Sequence, residues 1–301
     1  MSWSDGRVKV RIGVGLGAAG GPGGFADAVD RLEESGVDSL WLSEMVFGSL
    51  VEPFVGMAYA LSRTARLKVG TGVSVLPGRH PVLVAKQLTS LAALAPKRVL
   101  PVFGLQPARR AERALFGVPA GRRGAVFDES LELLRLLLRQ ESVSFDGKFF
   151  TLDAVSVGPL PPEPLDIWLG GSAPGALRRV GRLGDGWLAS FLTPDEAQAG
   201  REAIQAAADE AGREVDPEHF GISLAVAAGT IPPELDAAVR QRRPGTDPAS
   251  LIATGWPDAA ALIERYVAAG ISKFVIRPAA ATQDQAEFLG HFVRELMPLQ
   301  T

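Results

Sequence analysis

At 301 residues and 47% hydrophobic content, the chain has enough apolar material for one large α/β barrel or two average domains. A net charge of −3 without basic blocks or aromatic-basic stripes gives no support for nucleic acid or an anionic membrane surface as partner, and the absence of cysteine excludes disulfides, thiolate nucleophiles and cysteine-ligated metals. No run approaches the ~18 apolar residues of a membrane span, and residues 1–10 have no apolar signal core, so a cytoplasmic location is expected.

The first strand pattern, 8–16, runs into IGVGLGAAGGPGGF, where Gly15, Gly17 and Gly20 spell G-x-G-x-x-G. A dinucleotide site needs a helix that starts within those glycines, so that free N–H groups meet a pyrophosphate. Here the glycines continue to Gly24 and the helical pattern covers 24–35, which predicts a strand-to-helix loop. Strands then alternate with helices: strand 37–43, helix 53–65, strand 67–76, helix 81–94, strand 98–105 and helix 122–139. Residues 142–164, with Asp146-Gly147 between alternating β-formers, read as a hairpin. Alternation resumes with strand 165–171, helix 174–183, strand 186–190, helix 194–211, strand 219–229, a Pro-interrupted helical region 231–269, strand 272–278 and helix 282–296. Eight strand–helix units without a dividing linker predict a single (β/α)8 TIM barrel over residues 1–301, with a hairpin excursion after the fourth helix.

In such a barrel the chemistry sits at the C-terminal ends of the strands. The candidates are then Gly15 and Gly17; Ser43, Glu44 and Met45; residues 72–76; Gly104 and Gln106; Gly170, Gly171 and Ser172; Ser190; and Arg277. Lys9, Lys68, Lys97 and Lys273 all fall at strand beginnings, which argues against a Schiff-base aldolase. Of the three histidines only His80 is on the catalytic face, as a catalytic group or as the cap of the helix that opens at Pro81. No spacing suggests a metal site.

The stretches WLSE, LKVGTGVSVLPGRHPVLVAKQLTSL, KRVLPVFGL, DGKFFTL, PLDIWLGGSAPGALRRVGRLGDGWLAS and AAGISKFVIRP resemble, in order and spacing, the bacterial luciferase-like oxidoreductases, in particular their actinobacterial coenzyme F420 branch. The resemblance covers about residues 9–297. It implies a (β/α)8 barrel that binds F420, or alternatively FMN, and transfers a hydride to or from a small organic substrate. It also implies a cofactor phosphate held after the fifth strand by Gly170, Gly171, Ser172 and Ala173, with Arg178, Arg179, Arg109, Arg110 and Arg113 available to the phosphate or the acidic tail of F420. A bulge with a non-proline cis peptide is implied at Gly72-Val73, beside Gly104, against the cofactor ring.

Two positions depart from relatives that oxidise alcohols or sugars. Their acidic residue and histidine at the end of strand 2 read Glu44-Met45 here, and their glutamate after strand 4 falls on Pro107. Methionine and proline exchange no proton, which leaves Glu44 as acid, base or structural carboxylate, and Met45 as a pocket or wall residue. The functions that follow are an F420-dependent oxidoreductase, an FMN-dependent luciferase-like monooxygenase, or a flavin- or deazaflavin-binding protein without turnover. The loops at the catalytic end are largely apolar or glycine-rich, which suggests an apolar or aromatic substrate. The second and third helices are more apolar than one buried stripe requires, and resembling proteins dimerise there, so a homodimer is expected.

Overall fold

A computed structural model describes residues 9–280 and 284–301. The predicted beginnings of the first strand, at residue 8, and of the last helix, at 282–283, lie outside them. The chain alternates β1 (Arg11–Gly15), α1 (Pro22–Glu34), β2 (Ser39–Leu42), α2 (Pro53–Arg63), β3 (Lys68–Thr71), β4 (Ser74–Val75), α3 (Pro81–Leu94), β5 (Val99–Leu100), β6 (Val102–Gly104) and α4 (Arg123–Leu137). The strands β7 (Val143–Asp146) and β8 (Thr151–Val155) follow, then β9 (Trp168–Gly170), α5 (Pro174–Leu183), β10 (Gly186–Ser190), α6 (Pro194–Glu210) and β11 (Phe220–Val226). The last elements are α7 (Pro233–Arg242), β12 (Ile252–Ala253), α8 (Trp256–Ala268), β13 (Lys273–Pro278) and α9 (Gln285–Glu295).

The fold is α/β, with a curled parallel sheet in the order β4-β6-β9-β10-β11-β13-β1-β2-β3-β5, and β12 beside β11. Its two ends meet in sequence, because β3 pairs β5 while β4, three residues on, pairs β6. The strand expected over 67–76 is thus two pieces, and the segment 98–105 is also two, parted at Pro101, which has no N–H for a ladder bond. Helix α1 starts at Pro22 rather than at residue 24, because proline at the first helical position has its φ already set. The Pro-interrupted region resolves into α7, a 3-10 turn at Pro248–Ser250, β12 and α8. β7 and β8 pair antiparallel around a four-residue loop, 147–150. In that loop the N–H groups of Lys148, Phe149 and Phe150 donate to Glu129 on α4 at 3.0, 2.7 and 2.9 Å. Among the described residues no helix is long and apolar enough to cross a membrane.

Strand alternation puts Ile12, Val14, Leu40, Leu42 and Val69 into the layer against the helices, and Trp41, Val102, Leu188 and Val275 on the concave face. Close neighbours account for several strand glycines: a Cβ at Gly13 would run into Ser39 Oγ and stand 2.7 Å from Trp41 Nε1, and one at Gly70 would stand 2.6 Å from the Leu100 carbonyl oxygen and 3.1 Å from Trp41 Cε3. Trp168 crowds Gly186, where a Cβ would run into its Cε2, and touches Gly221, where one would lie 3.2 Å from its Cζ3.

The N-terminal ends of the strands carry paired charge. Asp38 takes Lys68 Nζ at 2.9 Å and also the Nζ of buried Lys273, which lies 5.7 Å from the centroid of Trp41. Asp185, before β10, accepts both Arg135 nitrogens at 2.6 and 2.8 Å, Arg213 at 3.1 Å and the Ile167 N–H at 2.9 Å. Burial pushes the Asp38 carboxyl up, but Lys273 and Lys68 outweigh it and hold its pKa at about 2. A folded-state pKa below the unfolded value near 3.9 contributes stability above that value and loses it as pH falls through the folded one. The contribution is about 2 kcal/mol, lost between roughly pH 4 and pH 2. Asp38→Asn, which leaves Lys273 buried without its carboxylate, is expected to lower unfolding free energy at pH 7 by about 3 kcal/mol and to flatten stability between pH 4 and pH 2. Urea titrations over that range check it; an unchanged midpoint at pH 7 contradicts the pairing.

Candidate active site

The C-terminal edge of the sheet is shaped first by the break between β3 and β4. The Gly72-Val73 peptide is cis, as the resemblance implied, and Gly72 accepts a 3.3 Å hydrogen bond from Ser43 Oγ through its carbonyl. Val73 packs inward with Trp41, Val102 and Leu188. A Cβ at Gly104 would meet Val73 Cγ2 at 2.7 Å, and one at Gly170 would meet its Cγ1 at 3.2 Å. Gly72, Val73, Gly104 and Gly170 therefore come together. The absent side chains at 104 and 170 make room for Val73, so these glycines have a packing reason besides any cofactor.

Glu44 leaves the end of β2 buried and fully engaged. Its Oε2 accepts from the Val75 N–H at 2.7 Å and Arg79 Nη1 at 3.1 Å, and its Oε1 pairs with Arg79 Nη2. Arg79 Nη1 also donates to the Val75 carbonyl at 2.5 Å, and its guanidinium lies 5.2 Å from the Phe116 centroid. Where a proton-exchanging carboxylate was one reading, the geometry is that of the structural one: Glu44 ties β2 to β4 and to the turn before α3. His80 is the N-cap of α3, its Nδ1 accepting from the Val82 N–H at 3.3 Å, with its ring edge-on to Phe150 at 5.5 Å. Its helix-capping role is thus present, and no proton relay joins it to Glu44. Met45 is half-buried, and Val46 and Phe47 beyond it are exposed.

Glu112, five residues past Pro107, is a buried carboxylate that the sequence reading missed. Its Oε1 accepts from the Phe47 N–H at 2.9 Å, while Arg109 donates to the Phe47 carbonyl, so the loop after β6 clasps the loop after β2. Nothing in RRAERAL distinguishes Glu112 locally; its partner is 65 positions away.

After β9, Gly171 adopts φ +108°, which favours glycine, and its carbonyl accepts from Trp187 Nε1 at 2.7 Å. α5 then opens with Ala173 as N-cap, without a side-chain cap, and Pro174 at the first position. Ser172, Ala173, Pro174 and Gly175 are all exposed; Pro174 has no N–H and the Ala176 N–H donates to the Ala173 carbonyl at 2.8 Å, which leaves the Gly175 N–H and the positive end of the dipole facing outward from a bend fixed by Trp187. Arg178 is exposed nearby, but Arg179 is committed: it pairs with Asp128 and lies 5.0 Å from the Phe127 centroid, which removes it from the candidate anion ligands. The glycines of the opening fingerprint sit elsewhere. Gly17–Gly20 form a 3-10 turn, and Leu16, Gly17 and Gly20 line a cleft with Trp41, Leu42, Ser43, Leu50 and Val51.

The chain is similar to F420-dependent dehydrogenases and, in fold, also to an FMN-bound type II Baeyer-Villiger monooxygenase of Pseudomonas putida at a TM-score of 0.73, with 17% identity, covering 97% of this chain and 99% of that one. The chain is 26% identical to an F420-dependent glucose-6-phosphate dehydrogenase of Kineococcus radiotolerans over 92% of its own length and 93% of that protein's. It is 32% identical to an F420-dependent hydroxymycolic acid dehydrogenase of Mycobacterium tuberculosis, over 63% and 54% of the two chains. Its fold matches an F420-dependent secondary alcohol dehydrogenase solved with an F420-acetone adduct at a TM-score of 0.81, with 19% identity, covering 97% of this chain and 100% of that one. Residues 7–271 match the family described as luciferase-like monooxygenase, and the chain belongs to that family.

Proposed function

We propose that this chain is an F420-dependent oxidoreductase acting on a small organic substrate, built as one domain whose curled sheet is a (β/α)8 barrel with β7 and β8 as an excursion. The observation that carries the reading is the exposed, uncapped N-terminus of α5 after the Gly171 bend, in a chain whose relatives along nearly its whole length are named F420-dependent. The residues fit the cofactor: Gly171, Ser172, Ala173 and the first turn of α5 suit a phosphate, and Val73 offers an apolar surface beside Gly104 and Gly170. Bound F420 supplies hydride chemistry.

The chain's own part is to hold and shield. Ser43 and Met45 stand at the end of β2, where Met45 contributes an apolar, deformable wall and no exchangeable proton. Glu44 acts as a positioning residue by fixing Arg79 and the β4 end, and His80 fixes the start of α3. The apolar side chains of Met45, Val46 and Phe47 suit an apolar or aromatic substrate. Assembly follows the same apolar logic. Val55 and Tyr59 on α2 and Leu83 on α3 are exposed on neighbouring helices, and a second copy of the chain covers them in the proposed homodimer.

Three outcomes are expected. A Cβ at Gly175 would have open space, so Gly175→Asp should fold as stably as the parent; its carboxylate, placed in the first turn of α5, should weaken F420 binding more than tenfold. Titrations of both proteins with F420, FMN and NADPH decide it, and an unchanged F420 affinity in the variant moves the phosphate elsewhere. Glu44→Gln should lower thermal stability, by about 2 kcal/mol given that Arg79 is partly exposed, while the pH–rate profile per folded molecule keeps its shape. Loss of its acidic limb would make Glu44 the proton donor instead. Light scattering at micromolar concentration should give a dimer for the parent and a smaller species for Leu83→Glu; a monomeric parent contradicts the proposed interface.

A further inference from the structure

The other end of the strand-terminal edge holds two cations that no carboxylate of the described residues pairs with. Arg277, near the end of β13, is half-buried, and Arg242 closes α7. Their guanidinium carbons lie 5.8 and 4.9 Å from the centroid of the Phe191 ring. Among the described residues no side-chain hydrogen bond or salt bridge holds either guanidinium, and burial first, then repulsion by Arg242, lowers the Arg277 pKa from the ordinary arginine value. Two acids on the adjoining α6 and α7 pair with other arginines. Asp236 binds Arg240 at 2.7 Å, and Glu196 pairs with Arg243.

Phe191 is held in place from several sides. It follows β10 with φ +55°, its carbonyl accepts from Arg243 Nη1 at 2.6 Å, and the carbonyl of the next residue, Leu192, accepts from Tyr266 Oη at 2.5 Å. Ile231, Leu235 and Ala279 pack in the same partly buried apolar cluster. β10 and β13 both pair with β11, so Phe191 and Arg277 reach toward each other over the end of that strand. β9, which leads into α5, is three strand steps from β13, about 14 Å at the usual spacing, so this is not the place proposed for the cofactor phosphate.

We propose that Arg277 and Arg242, over the Phe191 ring, form a subsite for the carboxylate of a substrate whose body is apolar or aromatic. Two like charges beside a partly buried ring are an electrostatic cost that a bound anion offsets, and a planar guanidinium matches a carboxylate through paired N–H donors. The apolar cluster takes the body of the same molecule. That the molecule is the substrate rests on the F420-dependent reading above; that an organic carboxylate binds here does not.

The test compares benzoate with benzyl alcohol, its uncharged analogue, by calorimetry on the cofactor-free full chain and on Arg277→Met and Arg242→Met. The parent should bind benzoate at least tenfold more tightly than benzyl alcohol, with an affinity that falls as salt rises, and each variant should lose most of that preference. Arg242 is exposed, so its variant reads the site even where Arg277→Met fails to fold. Equal binding of the two compounds by the parent, or an unchanged preference in Arg242→Met and in any folded Arg277→Met, overturns the subsite. A parallel titration with F420 and with its deazaflavin lacking phosphate and glutamate tail separates the two sources of carboxylate. Loss of more than tenfold in F420 affinity in the variants, with the tail-less compound unaffected, would assign these cations to the cofactor tail and overturn the substrate assignment. Failure of the parent to bind F420 at all sinks the proposed function but leaves the benzoate comparison to stand or fall by itself.

Discussion

The side chain of Val73 occupies the space that Cβ atoms at Gly104 and Gly170 would need, and the mouth of the sheet is arranged around that fact. Three consecutive segments, the β3–β4 junction, β6 and β9, are fitted to one isopropyl group, so a larger residue at 104 or 170 would displace Val73 from its contacts with Trp41, Val102 and Leu188. The junction also divides the pairing, with β3 on β5 and β4 on β6, which turns the end of β4 toward Glu44. Glu44 then gathers the Val75 N–H and Arg79 into one buried contact. A carboxylate that orders the turn leading to α3 is thereby a consequence of where Val73 points.

The two edges of the sheet differ in how their charges are satisfied. At the N-terminal edge Asp38 and Asp185 each serve two cations, and Asp185 also takes a backbone N–H. At the C-terminal edge the first turn of α5 has no cap, and no carboxylate of the described residues pairs with Arg277 or Arg242. Buried or half-buried polar groups are ordinarily paired. Arg179 pairs with Asp128 on α4, whereas Arg178, the residue before it on the same helix, is exposed.

Much of this was legible in the sequence because it depends on local pattern. Alternation of apolar runs with amphipathic stretches fixes the order of strands and helices, and the GTGV stretch, read through its resemblance, locates the break at Gly72-Val73. What escaped depends on distant partners. Glu44 and Arg79 are 35 positions apart, Arg179 and Asp128 are 51, and Phe47 and Glu112 are 65, so no window of sequence contains both members of a pair. The glycines were ambiguous for a related reason. Gly13, Gly70 and Gly186 answer the close approach of Ser39, Leu100 and Trp168, while Gly171 answers a backbone angle, and one letter stands for both demands.

The departures at Met45 and Pro107 acquire a physical meaning once the pairs are known. The Glu44 oxygens already take three N–H donors, one from the Val75 backbone and two from Arg79. Glu44 is bonded to Arg79, His80 accepts at Nδ1 from the α3 backbone, and Met45 beside them has no exchangeable proton, so each of these side chains has a place in holding the end of β2. On the readings proposed above, selectivity comes from fit and charge at the mouth: the apolar tip Met45–Phe47, clasped by Glu112 and Arg109, on one side, and the arginines around Phe191 on the other. A substrate that satisfied both would have an apolar body and an anionic end, and its charge would serve to orient it rather than to take part in proton transfer.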